Sequence, residues 1–145
     1  MQHDALEGKR IGFIGAGNMA EAIIQGLLKG GAVPVDHIMA SDVVAERREF
    51  MQTRYGIEVV DDNVALVCAS DILVLAVKPQ VAGPVMAPLK ACTDQSKLVI
   101  SIVAGLTVAA MAASLGAGTR IMRTVPNTPV FVGEGMVALA DDSPA

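Results

Sequence analysis

Lys9 to Ala20 reads KRIGFIGAGNMA, and the fold follows from what stands on either side of its glycines. Lys9 to Gly15 is short, rich in β-formers and ends in glycine, which reads as a buried first strand. From Met19 to Leu28 apolar residues stand at 19, 20, 23, 24, 27 and 28, a helical period, closed by Gly30 and Gly31 as a C-cap signal. Between strand and helix lies Gly15-Ala16-Gly17-Asn18-Met19-Ala20, a G-x-G-x-x-A turn. In that context the turn is a dinucleotide fingerprint. Gly15 makes the tight turn, Gly17 lets backbone approach a pyrophosphate, and Ala20 permits close packing of helix on strand. Free N–H groups at the helix start, with the positive end of its dipole, would hold the phosphates. The competing reading is a plain strand–helix turn without a ligand.

Working outward, short apolar runs alternate with helical stretches. His37–Ser41 is a second strand, and Ala45–Tyr55 is a charged amphipathic helix stopped by Gly56. Ile57–Val60 is a third, β-branched strand. Asp61 or Asp62 can cap a short helix over Val64–Ala69. Asp71–Val77 (DILVLAV) is apolar throughout, as strands covered on both faces are. Val81–Ala91 reads as helical despite Pro84 and Pro88, with an irregular or late start. Leu98–Val103 is a strand, and Thr107 caps a helix running to Leu115 before Gly116. Arg120–Thr124 is a strand followed by the loop PNTP, and Gly135–Ala140 closes the sheet. Such alternation predicts a doubly wound α/β fold, Rossmann-like, with a mainly parallel sheet and right-handed crossovers. The reading is one NAD(P)-binding domain over residues 1–145, with 1–8 as a flexible tail. The closing DDSPA offers an N-cap and a proline at the first helical position, so the chain reads as a domain cut from a longer protein.

Composition narrows the function. The 145 residues are 52% hydrophobic and 18% charged, which excludes intrinsic disorder. Aromatics are 3%, there is no Trp, and the net charge is −4. Base-stacking platforms and positive phosphate footprints are both missing, so nucleic acid is not an expected partner. The start MQHDALEGKR lacks the order of a signal peptide, and no apolar run approaches the roughly 20 residues a membrane span needs. A protein of a reducing cytoplasm is expected. Cys68 and Cys92 have no metal-ligand spacing, no metal is expected, and each reads as a small buried hydrophobe in an apolar helical stretch.

Asp42 follows the second strand, about 25 residues after Gly17, where a carboxylate can accept both ribose hydroxyls of NADH and repel the 2′-phosphate of NADPH. Arg47 and Arg48 offer the opposite preference, but beside Glu46 and Glu49 they read as a solvated helix face. NADPH or NADH is the expected cofactor, with Asp42 leaning toward NADH.

FIGAGNMA (13–20), AVKPQ (76–80), SIVAG (101–105) and PNTP (126–129) occur in this order. Together they resemble the amino-terminal domain of the pyrroline-5-carboxylate reductase family, from about Lys9 onward. That resemblance implies reduction of the C=N bond of 1-pyrroline-5-carboxylate to L-proline by NADPH or NADH. It implies that Ile14, Gly15, Ala16, Gly17, Asn18 and Met19 contact the pyrophosphate, while Asp42 faces the adenine ribose. Asn63 matches a contact near the adenosine end. Ala76, Val77, Lys78 and Pro79 would line the nicotinamide ribose, and Ala104 and Gly105 the nicotinamide. Asn127 and Thr128 of the PNTP loop would lie near substrate. The family's carboxy-terminal helical domain, which forms its homo-oligomer and much of the substrate site, is not in this chain. Two positions depart from the family pattern: Val125 stands where Met is usual, and Asp42 where many members have a small neutral residue.

Hydride transfer needs a positioned cofactor rather than a nucleophile, and no acid–base pair is legible, so the catalytic residue is unassigned. His3 and His37 read as solvated or structural, and Lys78 as a loop lysine contacting ribose rather than a catalytic cation. The eight methionines read as core filler. The isolated chain is expected to bind reduced dinucleotide and turn over poorly. The alternatives are a related imine or β-hydroxyacid reductase domain and a stand-alone dinucleotide-binding module.

Overall fold

In a computed structural model, residues 8–116, 118–126 and 137–139 are described. Seven strands form one sheet in the order β3-β2-β1-β4-β5-β6-β7. They are β1 (Ile11–Ile14), β2 (Ile38–Ser41), β3 (Glu58–Val60), β4 (Ile72–Leu75), β5 (Leu98–Ser101), β6 (Arg120–Pro126) and β7 (Val137–Leu139). All pair in parallel except β7, which runs antiparallel to β6. Helices α1 (Asn18–Lys29), α2 (Ala45–Tyr55), α3 (Asn63–Cys68), α4 (Pro79–Met86) and α5 (Val108–Leu115) connect them. The fold is doubly wound and Rossmann-like.

Two buried clusters show how the strands serve both faces. Ile11, Phe13, Ile38, Ala40 and Val74 pack with Ala20 and Ile24 of α1 and Met51 of α2. Ile14, Leu73, Leu75, Val99 and Ile121 pack with residues of α3, α4 and α5, among them Leu66, Met86 and Met111. Leu73 and Leu75 fall in one cluster and Val74 in the other, the two-residue period of a strand covered on both sides.

Two departures concern prolines and sequence ends. Helix α4 does not start late: it begins at Pro79, with Lys78 as N-cap. Proline suits the first helical position because its missing N–H has no intrahelical partner there. The irregularity falls at the end instead, where Ala87–Leu89 tightens into a 3-10 turn around Pro88. His37 ends a 3-10 turn (Val35–His37) rather than beginning β2. Residues 1–7 of the expected tail and the PNTP residues Asn127 and Thr128 lie outside the described residues. So do the ends of the closing strand expected over Gly135–Ala140, of which Val137–Leu139 is described.

Helices α1 and α2 are joined by polar contacts as well as by their core. Arg47 donates from Nη2 to Glu21 Oε1 at 2.7 Å, and Tyr55 Oη donates to Glu21 Oε2 at 2.5 Å. Burial works to raise the pKa of Glu21, but hydrogen bonds from Tyr55 and Arg47, with the charges of Arg47 and Arg54, hold its carboxyl below the usual range. Burial, then the bond to Glu21, pushes the Tyr55 phenol up.

Close packing is most acute at Gly12. A Cβ there would meet Leu66 Cδ2 at 2.6 Å and also Ser70 Oγ, and the latter is fixed by donating to Leu66 O at 2.7 Å. Gly12→Ala is therefore expected to cost about 1–3 kcal/mol, read as a lowered urea midpoint at unchanged slope. An unchanged midpoint would show that α3 does not press on β1. The Glu21 carboxyl predicts a pH signature. Its folded pKa lies below the unfolded one, so its stabilisation is present above about pH 4.3 and is lost as pH falls through the folded value. Glu21→Gln should be less stable than wild type at pH 7, and the gap should close in acid. A gap constant from pH 7 to pH 3 would remove the charge from the account.

Candidate dinucleotide site

The strand order places the site. From β1 the chain winds outward through β2 and β3, then returns to the other side of β1 as β4. At such a reversal the connections leaving two neighbouring strands diverge and open a crevice at their carboxyl ends. Gly15 stands at the end of β1 and Ala76 at the end of β4. Gly15 has φ +99°, and a Cβ on it would meet Ala76 O at 2.7 Å. Both the backbone conformation and the space demand glycine. Gly15 N donates to Ser41 O at 3.0 Å and Ala76 N to Ile14 O at 2.9 Å, so the turn is held from both flanking strands.

Gly17 differs. It is the N-cap of α1, with φ −77° and ψ −169° and no side-chain cap, and a Cβ there would meet nothing within 4 Å. The protein's own packing does not require glycine at 17. Ala16 is buried, whereas Gly17 and Asn18 are exposed.

Asp42 secures the loop from the β2 side. Its Oδ2 accepts from Ala16 N at 3.0 Å and its Oδ1 from Val44 N at 2.9 Å. Each carboxylate oxygen retains a further lone pair. Arg47 and Arg48 are not the solvated face expected of them. Arg47 Nε donates to Ala16 O while its Nη2 is on Glu21, and Arg48 Nη1 donates to Asp42 O at 2.7 Å. Both are half-buried, because α2 starts immediately beyond the loop and its first turn points back at it. Beside them Ser41 Oγ donates to Asn63 Oδ1 at 2.5 Å, which brings the start of α3 to the end of β2.

At the other end of the crevice a pocket of about 270 Å³ is lined by Met19, Ile102, Val103, Ala104, Gly105, Arg123 and Thr124. Met19, Ala104 and Gly105 are thus brought together in the lining of one pocket. Val77 and Ala76 are half-buried near Gly15, and Lys78 and Pro79 are exposed at the start of α4. Arg123 and Thr124 escaped the sequence reading. Their signal was position, since β6 runs parallel to β5 and must end beside Ala104 and Gly105. Thr124 Oγ1 donates to Ser101 O at 3.1 Å, fixing that wall.

The larger pocket of about 480 Å³, lined by Glu46, Glu49, Phe50, Thr53 and Arg54, lies along α2 and away from the glycine loop. Among the described residues, no group of three or more His, Cys, Asp or Glu could hold a metal ion. No described helix is long and apolar enough to cross a membrane.

Comparison with known proteins agrees with this geometry. A pyrroline-5-carboxylate reductase of Methanosarcina acetivorans is 43% identical over 135 residues, covering 93% of this chain and 50% of that protein. The solved pyrroline-5-carboxylate reductase of Coxiella burnetii superposes with TM-score 0.85 at 34% identity, over 90% of this chain and 48% of that one. A Plasmodium falciparum pyrroline carboxylate reductase, solved with NADP bound, gives 0.80 at 28% identity over 96% and 51%. The chain spans about half the length of the curated relatives it matches. Residues 10–105 match the model of a family described as NADP oxidoreductase, coenzyme F420-dependent, and the chain belongs to that family.

Proposed function

We propose that this chain is the dinucleotide-binding part of a pyrroline-5-carboxylate reductase. In this reading it takes NADPH or NADH and serves the reduction of 1-pyrroline-5-carboxylate to L-proline. The observation that carries the reading is the pair of glycines: Gly15 is required by packing, while Gly17 is not and leaves space at the open start of a helix. A pyrophosphate fits that space, with backbone N–H groups of the loop and the positive end of α1 against it. Similarity to the Methanosarcina and Coxiella reductases supplies the substrate class.

The residues divide the work by position. Ile14 through Met19 would hold the pyrophosphate, Asp42 the adenine ribose and Asn63 the adenosine end. Ala76, Val77, Lys78 and Pro79 would line the nicotinamide ribose. Ala104 and Gly105, with Met19, would form the wall of the nicotinamide. A bound reduced nicotinamide supplies the hydride for the C=N carbon. The buried Val103 and the half-buried Met19 and Ile102 would limit water beside that position and fix its orientation, which is where much of such a rate enhancement arises. Asn127 and Thr128 would lie near substrate. Two free thiols suit a reducing cytoplasm, and the complete enzyme is expected to be a homo-oligomer.

Gly17→Ala tests the reading without unfolding the protein. Its backbone angles suit alanine and the Cβ meets nothing, so the melting midpoint should stay within about 2 °C while NADPH affinity falls roughly tenfold, about 1.4 kcal/mol. Unchanged affinity in a folded variant would sink the pyrophosphate assignment. Asp42→Ser should raise the NADPH-to-NADH affinity ratio on the order of tenfold by removing a carboxylate from the 2′-phosphate position. The ratio is the right readout, since the loss of the Ala16 tether affects both cofactors alike. The isolated chain should bind NADPH yet turn over pyrroline-5-carboxylate well below about 1 per second. Typical enzyme rates from it alone would contradict the division of labour. Binding without turnover in the presence of the relatives' remaining half would favour a binding module.

A further inference from the structure

The two cysteines are neither buried nor both helical, as a structural-hydrophobe reading requires. Cys68 ends α3 and is exposed, and Cys92 is half-buried beyond the 3-10 turn that follows α4. Their Sγ atoms are 3.6 Å apart, in hydrogen-bond contact. Both are carried on well-anchored backbone. Leu66 and Val67 bury the turn before Cys68, and Leu89 buries the turn before Cys92. Cys92 N donates to Leu89 O at 2.9 Å, and Thr93 Oγ1 donates to Leu115 O at 2.9 Å. To bond, the two sulfurs must close from 3.6 Å to about 2.0 Å.

We propose that Cys68 and Cys92 are a modification site that closes into a reversible intramolecular disulfide, with a low-molecular-weight disulfide such as oxidised glutathione as co-reactant. The accessible Cys68 thiolate attacks the small disulfide, forming a mixed disulfide and releasing one small thiol. Cys92, as thiolate, then attacks Cys68 Sγ, and the second small thiol leaves. The two protein thiols lose two electrons and two protons in total, and the small disulfide is reduced to two thiols. The hydrogen bond shared with Cys68, then burial, holds the proton on Cys92 and pushes that thiol up. Exposure assigns first attack to Cys68 and resolution to the half-buried Cys92, whose hydrogen-bonded partner is gone once Cys68 is capped. The bond would close the segment 68–92, which carries β4, the Ala76–Pro79 turn and α4, and so would tie down one wall of the crevice from behind.

The test is equilibration of the purified protein with oxidised glutathione, followed by intact mass and peptide mapping. The expected result is a loss of about 2 Da with a Cys68–Cys92 cross-linked peptide, reversed by dithiothreitol. The melting midpoint should rise by about 5–10 °C in the oxidised form, because a loop of this length is closed in the unfolded chain. Cys92→Ser should stop at the glutathione adduct of Cys68. A stable glutathione adduct on the wild-type protein, or a disulfide-linked dimer, would overturn the proposal, because either means that Cys92 does not reach Cys68 faster than its competitors. The mass readout does not involve cofactor, so its failure would leave the proposed function standing.

Discussion

The site depends on one backbone contact across the reversal of the sheet. Gly15 and Ala76 approach so closely that a methyl group on the former would overlap the carbonyl of the latter. That approach lets β1 and β4 run side by side to their ends before their connections diverge. A side chain there would push the loop outward, move Ala16 off Asp42 and change the start of α1. The crevice is therefore a consequence of how β1 ends as much as of the residues lining it.

A second constraint acts from the opposite side. Asp42, at the end of β2, takes N–H groups from Ala16 and Val44, and Arg47 binds both the Ala16 carbonyl and Glu21. Loop, α1 and α2 are thereby bound into one polar unit at the adenosine end. Asp42 shapes the loop, and in the proposed function it would also present a carboxylate to a ribose. Arg48 places a cation on the same corner through the Asp42 carbonyl. In the proposed function the balance between this carboxylate and guanidinium would decide how the corner receives a 2′-phosphate, a balance that charge counting along the sequence does not give.

Local signals in the sequence revealed most elements because each carries its own punctuation. Gly56 ends α2, as expected, and of the two aspartates that could cap α3 it is Asp62 that does. The fully apolar DILVLAV stretch could only be a strand covered on both faces. What escaped depends on distance along the chain. The Arg47 contacts span 26 and 31 residues, and those with Ala16 and Glu21 exist only because β2 lies beside β1. The Cys68–Cys92 pair likewise joins segments 24 residues apart, and no spacing rule foretells it. The helix expected across Pro84 is present, and only its expected late start is not. A proline argues against a helix interior, yet α4 runs through it, because the burial of Ala82 and Met86 on either side outweighs the lost hydrogen bond. The glycine loop was readable because its requirement is local; the pocket walls at Arg123 and Thr124 were not, because they are set by which strand neighbours β5.

The treatment of helix starts separates structural from functional ends. The chain supplies its own side-chain cap to α3, where Asp62 accepts from Val64 and Ala65, and to α5, where Thr107 accepts from Ala110. It supplies no such cap to α1, which follows Gly17, to α2, which follows Val44, or to α4, which follows Lys78. An N-cap side chain contributes on the order of 1 kcal/mol, so leaving it out has a real cost to stability. Three helices lack one: α1 and α4 leave β1 and β4, the strands flanking the reversal, and α2 leaves β2 at the neighbouring corner that carries Asp42. A polar cap at Gly17 would stabilise the empty protein and fill the space a pyrophosphate needs. An open start is best explained by a ligand that supplies the missing acceptor, and the same logic makes α1 the element whose stability should respond most to what the crevice holds.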